Sequence, residues 1–274
     1  MQKQGTFDLH EAQLRCKKYR HQILDISQQV GALHIAPAFS CLEITDVIYH
    51  CLMRKNEDNT FKDTFLMSKG HGCMSQYVIL NELGFLTDED LATYCQPSGR
   101  LGAHPDYGLP GIAASTGSLG HGLGIATGIA LANRIQGVDS HTYVVVSDGE
   151  LQEGSTWEAI LMASNLKLNT LTVFLDLNDF SGLARMSVDH QALYPVTEKL
   201  EAFGWGVQEV DGHDSQQIYT AALNQHPTKP LFVTCKTIKG KGVSYMESVP
   251  IWHYRSPDSV EYQQAKLELE GGVV

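Results

Sequence analysis

The chain has 274 residues, of which 43% are hydrophobic and 19% charged, values of an ordinary folded protein rather than a disordered, collagenous or coiled-coil one. Its 20 Lys and Arg against 31 Asp and Glu leave a formal charge of −11, which argues against a nucleic-acid partner, because displacing phosphate counterions needs a basic footprint. An anionic ligand therefore requires a local device here: a metal, a helix N-terminus or histidines.

Residues 9–30 place Ile23, Ile26 and Val30 at helical spacing among charges, which predicts an amphipathic helix. A Pro- and Ala-containing turn is expected at His34–Phe39, then a helix through Leu42–Leu52. Thr64–Met67 reads as a short strand leading into SKGHG, Ser68 to Gly72, and a further helix. Residues 95–118 are rich in Gly and Pro and lack periodicity, so they form a long ordered loop of the kind that carries function. From Gly120 the pattern becomes α/β. GHGLGIATGIALANRI predicts a glycine-rich buried helix, Thr142–Ser147 a β-branched strand, Glu153–Leu168 a helix and Leu171–Asp176 a second strand. GWGVQEV and Pro230–Thr237 give two more strands with a helix between them. This alternation implies an α/β fold, with a mainly parallel central sheet covered by helices on both faces. No repeat or linker interrupts the chain, and residues 1–274 are expected to form one domain.

Six cysteines are scattered without a CxxC pair, as in a reduced cytoplasmic protein. The first twenty residues hold no apolar signal-peptide core, and no run of about 18 apolar residues occurs, so neither export nor a membrane span is expected.

The most informative segment is SDGELQEGSTWEAILMASNLKLNTLTVFLDLND. Asp148 and Gly149 follow one predicted strand, and Asn178 follows the next. A strand–helix–strand crossover brings both oxygen-bearing side chains to the same rim of a parallel sheet, where ligands of such sheets bind. A carboxylate and an amide, completed by a backbone carbonyl and phosphate oxygens, make an all-oxygen shell suited to Mg²⁺ or Ca²⁺. Gly149 allows its N–H to approach an anion closely. The plainer alternative is a βα loop in which Asp148 only caps a helix.

That spacing resembles the thiamine-diphosphate motif, and the wording DGELQEGSTWEA followed by NLKL is similar to transketolases. The resemblance extends through Met67–His71, the AHPDYGLPGI segment, TGSLGHG (Thr116–Gly122), Glu209–Asp214, Thr237–Ser248 and Trp252–His253. It implies a thiamine-diphosphate-binding fold with Asp148, Asn178 and the backbone carbonyl of Phe180 as metal ligands. It also implies that Gly149 donates to the diphosphate and that Gly117, Ser118 and Leu119 line the aminopyrimidine. Glu153 corresponds to a position at the subunit interface. His34, His71, His104 and His253 correspond to histidines around the thiazolium and the substrate hydroxyls, His71 and His253 also touching the cofactor. Imidazole suits proton movements on sugar hydroxyls near neutral pH. His121, where the family often has Gln, is a candidate phosphate contact.

The sequence departs from the family pattern at several places. Ser147 replaces the first glycine of the motif, where its side chain either crowds the loop or adds a polar contact. The loop after Asn178 is altered, SGHPGG becomes ALHIAP (Ala32–Pro37), and Tyr254 follows His253 where glycine is usual. These changes bear on the substrate mouth more than on the metal. The resemblance also implies that the catalytic glutamate and most of the basic residues gripping sugar phosphate lie in a pyrimidine-binding domain beyond this chain. A separate C-terminal subunit, an α₂β₂ assembly and a two-carbon ketol transfer between sugar phosphates are therefore expected. The alternatives are a related thiamine-diphosphate ketol transferase or synthase on an unusual sugar or aldehyde, and a non-catalytic regulatory subunit of the same fold. A zinc hydrolase is disfavoured, since no HExxH or paired HxH occurs.

Overall fold

The computed structural model describes residues 7–30 and 33–271. The expected domain limits, Met1 and Val274, and Ala32 of the altered ALHIAP segment lie outside them. Helix α1 (Leu9–Ile26) ends earlier than its apolar spacing predicts. Ser27 closes it, with Oγ donating to the Leu24 carbonyl at 2.5 Å and withdrawing that acceptor from the helical ladder. The segment expected as a turn is instead helix α2 (Ile35–Ser40). Pro37 sits in its first turn, where a missing N–H leaves no intrahelical bond unmade. Helix α3 (Leu42–Val47) continues as a π-turn, Ile48–Leu52, so the helix expected through Leu52 changes register part-way.

Strand β1 (Thr64–Met67) leads through a 3₁₀ turn, Gly70–Gly72, into α4 (Cys73–Glu82), and α5 (Asp88–Ala92) follows. The long loop then runs without regular structure to α6 (Gly122–Gln136). After β2 (Thr142–Ser147) a 3₁₀ turn, Gly149–Gln152, precedes α7 (Gly154–Asn165), and β3 (Leu171–Leu177) follows. A small hairpin of β4 (Phe180–Ser181) and β5 (Ala184–Arg185) comes next, with α8 (Met186–Asp189) and α9 (Val196–Ala202). The chain closes with β6 (Gly206–Asp211), α10 (Ser215–Leu223), β7 (Leu231–Lys236) and α11 (Ser259–Glu270).

Five strands form one parallel sheet in the order β1-β2-β3-β7-β6. Its central strands are apolar without alternation because both faces are covered. Val145 and Phe174 point into a core built with α1–α4 and α10, while Val144, Val146 and Val173 point into a second core built with α6, α7 and α9. Adjacent β2 and β3 pair from Thr142↔Leu171 to Ser147↔Asp176, so the residues just beyond them emerge together.

Helix α6 departs from its expected burial. Leu123, Ala126 and Ala130 are buried, but Gly124, Ile125 and Gly128 face outward, and Ile125 is 39% exposed. Neighbouring α7 likewise exposes Leu161 and Met162. Nothing among the described residues covers this apolar side.

Candidate functional site

The carboxyl ends of β1, β2, β3 and β7 deliver Lys69, Asp148, Asn178 and Thr237 to one rim. At its centre lies Asp176, the penultimate residue of β3, fully buried. Its Oδ1 accepts from Ser40 Oγ at 2.6 Å and from Thr237 Oγ1; its Oδ2 accepts from Lys69 Nζ and from Asn178 Nδ2 at 3.0 Å. Burial opposes the charge on Asp176, but Lys69 and these donors outweigh it and hold the carboxyl below its usual range. Lys69, also fully buried, donates in addition to the Pro37 carbonyl at 3.0 Å. One ion pair thus ties together α2, the SKGHG turn, β3 and the segment after β7.

That hub orients Asn178. With its nitrogen on Asp176, the amide oxygen accepts the Phe180 N–H at 3.1 Å. Beside it, Asp148 is fully buried, with Oδ1 accepting from Gly149 N–H at 2.9 Å and Oδ2 from Asp179 N–H at 2.6 Å. Asp148 makes no ion pair among the described residues. Burial, and then the nearby Asp176 charge, push its carboxyl up to about 8. A buried carboxylate short of positive charge, next to an amide oxygen, fits a hard divalent cation. Among the described residues no three His, Cys, Asp or Glu side chains are grouped to hold a metal, so the donor set is of mixed carboxylate, amide and backbone type. Gly149 was expected to aim its N–H at an anion; here that N–H lies on Asp148 instead. A Cβ at Gly149 would stand 3.0 Å from Ser181 Oγ, so the turn needs glycine for space.

The four histidines, far apart in sequence, converge above this floor. Ring centroids of His34 lie 5.9 Å from His71, 5.9 Å from His104 and 5.4 Å from His253, and His71 and His253 are 5.2 Å apart. Burial first, then His104 and Lys239, push His34 down to about 4; burial and Lys239 push His253 down to about 3. His71 is lowered as well, by burial and then Lys69. These three imidazoles are neutral at neutral pH. Lys239 Nζ donates to His253 Nδ1 at 2.7 Å, which leaves the ring proton on Nε2, and to the Gly182 carbonyl at 3.1 Å. The lysine itself is pushed down to about 8, by burial and then by Lys69. His104 is set by Tyr77, whose hydroxyl donates to the His104 and Gly102 carbonyls at 2.9 and 3.2 Å.

Gly117 joins the cluster through space alone. Its φ is +141°, and a Cβ there would meet the His104 ring at 2.9 Å. Ser118 is exposed and Leu119 half-buried on the same turn. His121 is exposed, and its Nδ1 lies 3.1 Å from the Leu119 carbonyl, at the start of α6. Glu153 is exposed at the N-terminus of α7, away from the floor. Its neighbour Glu150 was not singled out from sequence. It is buried, accepts from Ser68 Oγ and from Gly120 N–H at 2.9 Å, and leaves Oε2 without a partner; burial raises its carboxyl above the usual range. Ser147 resolves toward a polar contact, since its Oγ accepts the Glu150 N–H at 3.3 Å. Lys69, Asp176 and Lys239 also escaped the sequence reading, although Lys69 and Lys239 stand inside the Met67–His71 and Thr237–Ser248 segments that carry the resemblance.

Residues 12–253 match the family described as transketolase, thiamine diphosphate binding domain. One of the two apulose-4-phosphate transketolase subunits of Phocaeicola vulgatus is 34% identical over 262 residues, covering 94% of this chain and 93% of that protein. The 6-deoxy-6-sulfo-D-fructose transketolase subunit SqwG of Clostridium sp. is 33% identical over 248 residues, covering 88% and 90%. The transketolase of Homo sapiens is 34% identical over 241 residues, covering 86% of this chain but 38% of its own length. The solved transketolase from Campylobacter jejuni superposes with a TM-score of 0.89 at 26% identity, covering 96% of this chain and 43% of that one. The chain belongs to the transketolase family and corresponds to its thiamine-diphosphate-binding domain.

Proposed function

We propose that this chain, as a single diphosphate-binding domain, is one subunit of a two-chain cytoplasmic transketolase. It moves a two-carbon ketol unit from a ketose donor to an aldose acceptor, as free sugars or sugar phosphates. The observation that carries this reading is a site built as half a pocket: an oxygen-donor floor beneath four converged imidazoles, open at the sheet rim. Asp148, Asn178 and the Phe180 carbonyl would hold Mg²⁺ or Ca²⁺, and the cation would carry the diphosphate. With the cation satisfying Asp148, Gly149 would present its N–H to the diphosphate. Gly117, Ser118 and Leu119 would line the aminopyrimidine. Thiamine diphosphate, when bound, supplies the carbon nucleophile and the electron sink.

The remaining chemistry falls to side chains of this chain. Neutral His34, His71, His104 and His253 accept or return protons on substrate hydroxyls, and the Nε2–H of His253 is placed to donate. Lys239 adds positive charge under the cluster and rises toward full protonation when an anion lies nearby. The acid that would face the aminopyrimidine comes from a pyrimidine-domain partner, because Glu153 sits at the diphosphate end. That partner would cover the apolar side of α6 and α7, where Ile125, Leu161 and Met162 stand exposed. An α₂β₂ assembly is the symmetric form of such a pair. Relatives named as subunits, which match this chain nearly end to end, support the two-chain arrangement.

The test has two arms. The isolated chain, at saturating thiamine diphosphate and Mg²⁺, shows no ketol transfer, and adding a pyrimidine-domain chain restores it. Asp148→Ala and Asn178→Ala each weaken thiamine-diphosphate binding by the pair more than about tenfold in Mg²⁺, since each removes a metal ligand. Robust turnover by the isolated chain defeats the two-chain reading, and unchanged affinity in both variants defeats the metal site. Binding of cofactor and of partner reinforce one another, as linkage requires of a ligand held between chains.

A further inference from the structure

The family pattern has glycine after the last site histidine, and this chain has Tyr254. The phenol is not turned away into solvent. Its ring centroid lies 4.4 Å from that of His253 and 5.7 Å from that of His34, both at about 60° tilt, so it forms a side wall to two of the four imidazoles. The residue is still 53% exposed, and among the described residues its hydroxyl has no hydrogen-bond partner. On the far side it reaches the β4–β5 hairpin, where a Cβ on Gly182 would stand 3.8 Å from the hydroxyl. Gly182 has φ +58° and offers its carbonyl to Lys239. The altered hairpin and the altered residue after His253 are therefore a matched pair, a bare glycine on one side receiving a bulky phenol from the other.

The adjacent cation is withdrawn from this wall. Arg255 lies over the Trp252 ring at 4.5 Å and pairs with Glu261 at 2.7 Å, so it does not reach across the mouth. The wall thus presents an aromatic face and one free hydroxyl, and no charge.

We infer that Tyr254 is the specificity-determining residue of this transketolase half, an inference that rests on the function proposed above. Its ring occupies volume that glycine leaves to the substrate, and its hydroxyl supplies a donor–acceptor for a substrate hydroxyl. The site therefore selects a short, polyhydroxylated aldose over longer chains. A steric wall of this size discriminates by about 10- to 100-fold, and a lost hydrogen bond to a substrate hydroxyl weakens transition-state binding further.

The experiment uses the reconstituted two-chain enzyme with hydroxypyruvate as ketol donor and glyceraldehyde, erythrose and ribose as acceptors. Tyr254→Gly raises the ratio of kcat/KM for ribose over glyceraldehyde at least tenfold. Tyr254→Phe keeps the wild-type ratio within about twofold and lowers kcat/KM for every acceptor, mainly through KM. Thiamine-diphosphate affinity, measured by calorimetry, moves less than threefold in both variants and reports that each is folded. An unchanged acceptor ratio in Tyr254→Gly, with wild-type turnover and cofactor affinity intact, overturns the inference and leaves the proposed function standing. A wild-type pair that binds no cofactor and transfers no ketol unit overturns both.

Discussion

The floor and the mouth of the site are built by opposite means. On the floor the polar atoms are closely bonded: Asp176 receives Ser40, Thr237, Lys69 and Asn178, and Asp148 receives two backbone N–H groups. At the mouth the imidazoles meet mostly ring against ring, and Tyr254 has a free hydroxyl. A bonded floor fixes geometry before any ligand arrives, as holding a small cation requires. A mouth of neutral rings leaves hydrogen-bonding capacity for a substrate. The first region tolerates little change, and the second is where this chain departs most from its family's pattern.

The largest effect expected at the mouth is kinetic. His104→Ala and His253→Ala lower kcat of the reconstituted pair by roughly 10²- to 10⁴-fold, the range for a lost proton-transfer or orienting group. Cofactor affinity, titrated by calorimetry, stays within about threefold. Equal losses in affinity and turnover would erase the distinction between mouth and floor. At the floor the largest effect is on stability. Asp176→Ala leaves Lys69 buried without its partner, a change that costs about 3–5 kcal/mol, read from urea denaturation of this chain. Wild-type stability in that variant would mean that Lys69 finds another counter-charge.

The two regions also respond to pH with opposite sign. Folded His34 and His253 titrate near 4 and 3, below their unfolded value near 6.5. Between these limits the unfolded chain binds more protons, so stability falls as pH drops from about 6.5 toward 4. Asp148 is the reverse, since its folded carboxyl titrates near 8 against about 4 unfolded. The metal-free folded chain binds the extra proton there, and stability falls as pH rises from about 4 to 8. The slope from Asp148 is at most about 1.4 kcal/mol per pH unit, and the partly exposed histidines give less. Asp148→Asn should flatten the alkaline limb of a urea-midpoint profile, and His253→Gln should reduce the acid limb. A smaller effect closes the series: Ser147→Ala removes one hydroxyl acceptor from Glu150 N–H, costs about 0.5–1.5 kcal/mol in the same denaturation and leaves cofactor affinity within twofold.

The same division separates what could be read from sequence. Asp148 and Asn178 were legible because each ends a continuous β-branched run, and a parallel crossover fixes where such ends emerge. The five-stranded sheet followed from the same runs. Lys69 and Asp176 were not singled out, because their meaning lies in a contact across 107 positions and nothing local marks it. Helix α2 was read as a turn because Pro37 breaks helices everywhere except in the first turn, and the sequence alone did not mark where that turn began. Helix α6 looked buried all round because apolar surface meant for another chain has the same composition as core.

One contact between backbones has a consequence for how this chain can drift. A Cβ at Gly70 would stand 2.8 Å from both the Cα and the nitrogen of Gly117, and one at Gly117 would meet His104. No side-chain rotation relieves a clash with main chain. A mutational path that changes Gly70 therefore passes through a form in which the SKGHG turn and the TGSLGHG turn are driven apart, separating His71 from Gly117. No single later step at Gly117, already without a side chain, can restore the fit. The pair behaves as one locked character: among functional descendants Gly70 stays glycine while its neighbours vary. A library randomised at Gly70, Gly84 and Gly108 returns glycine far more often at the first than at the other two, where a Cβ meets nothing within 4 Å.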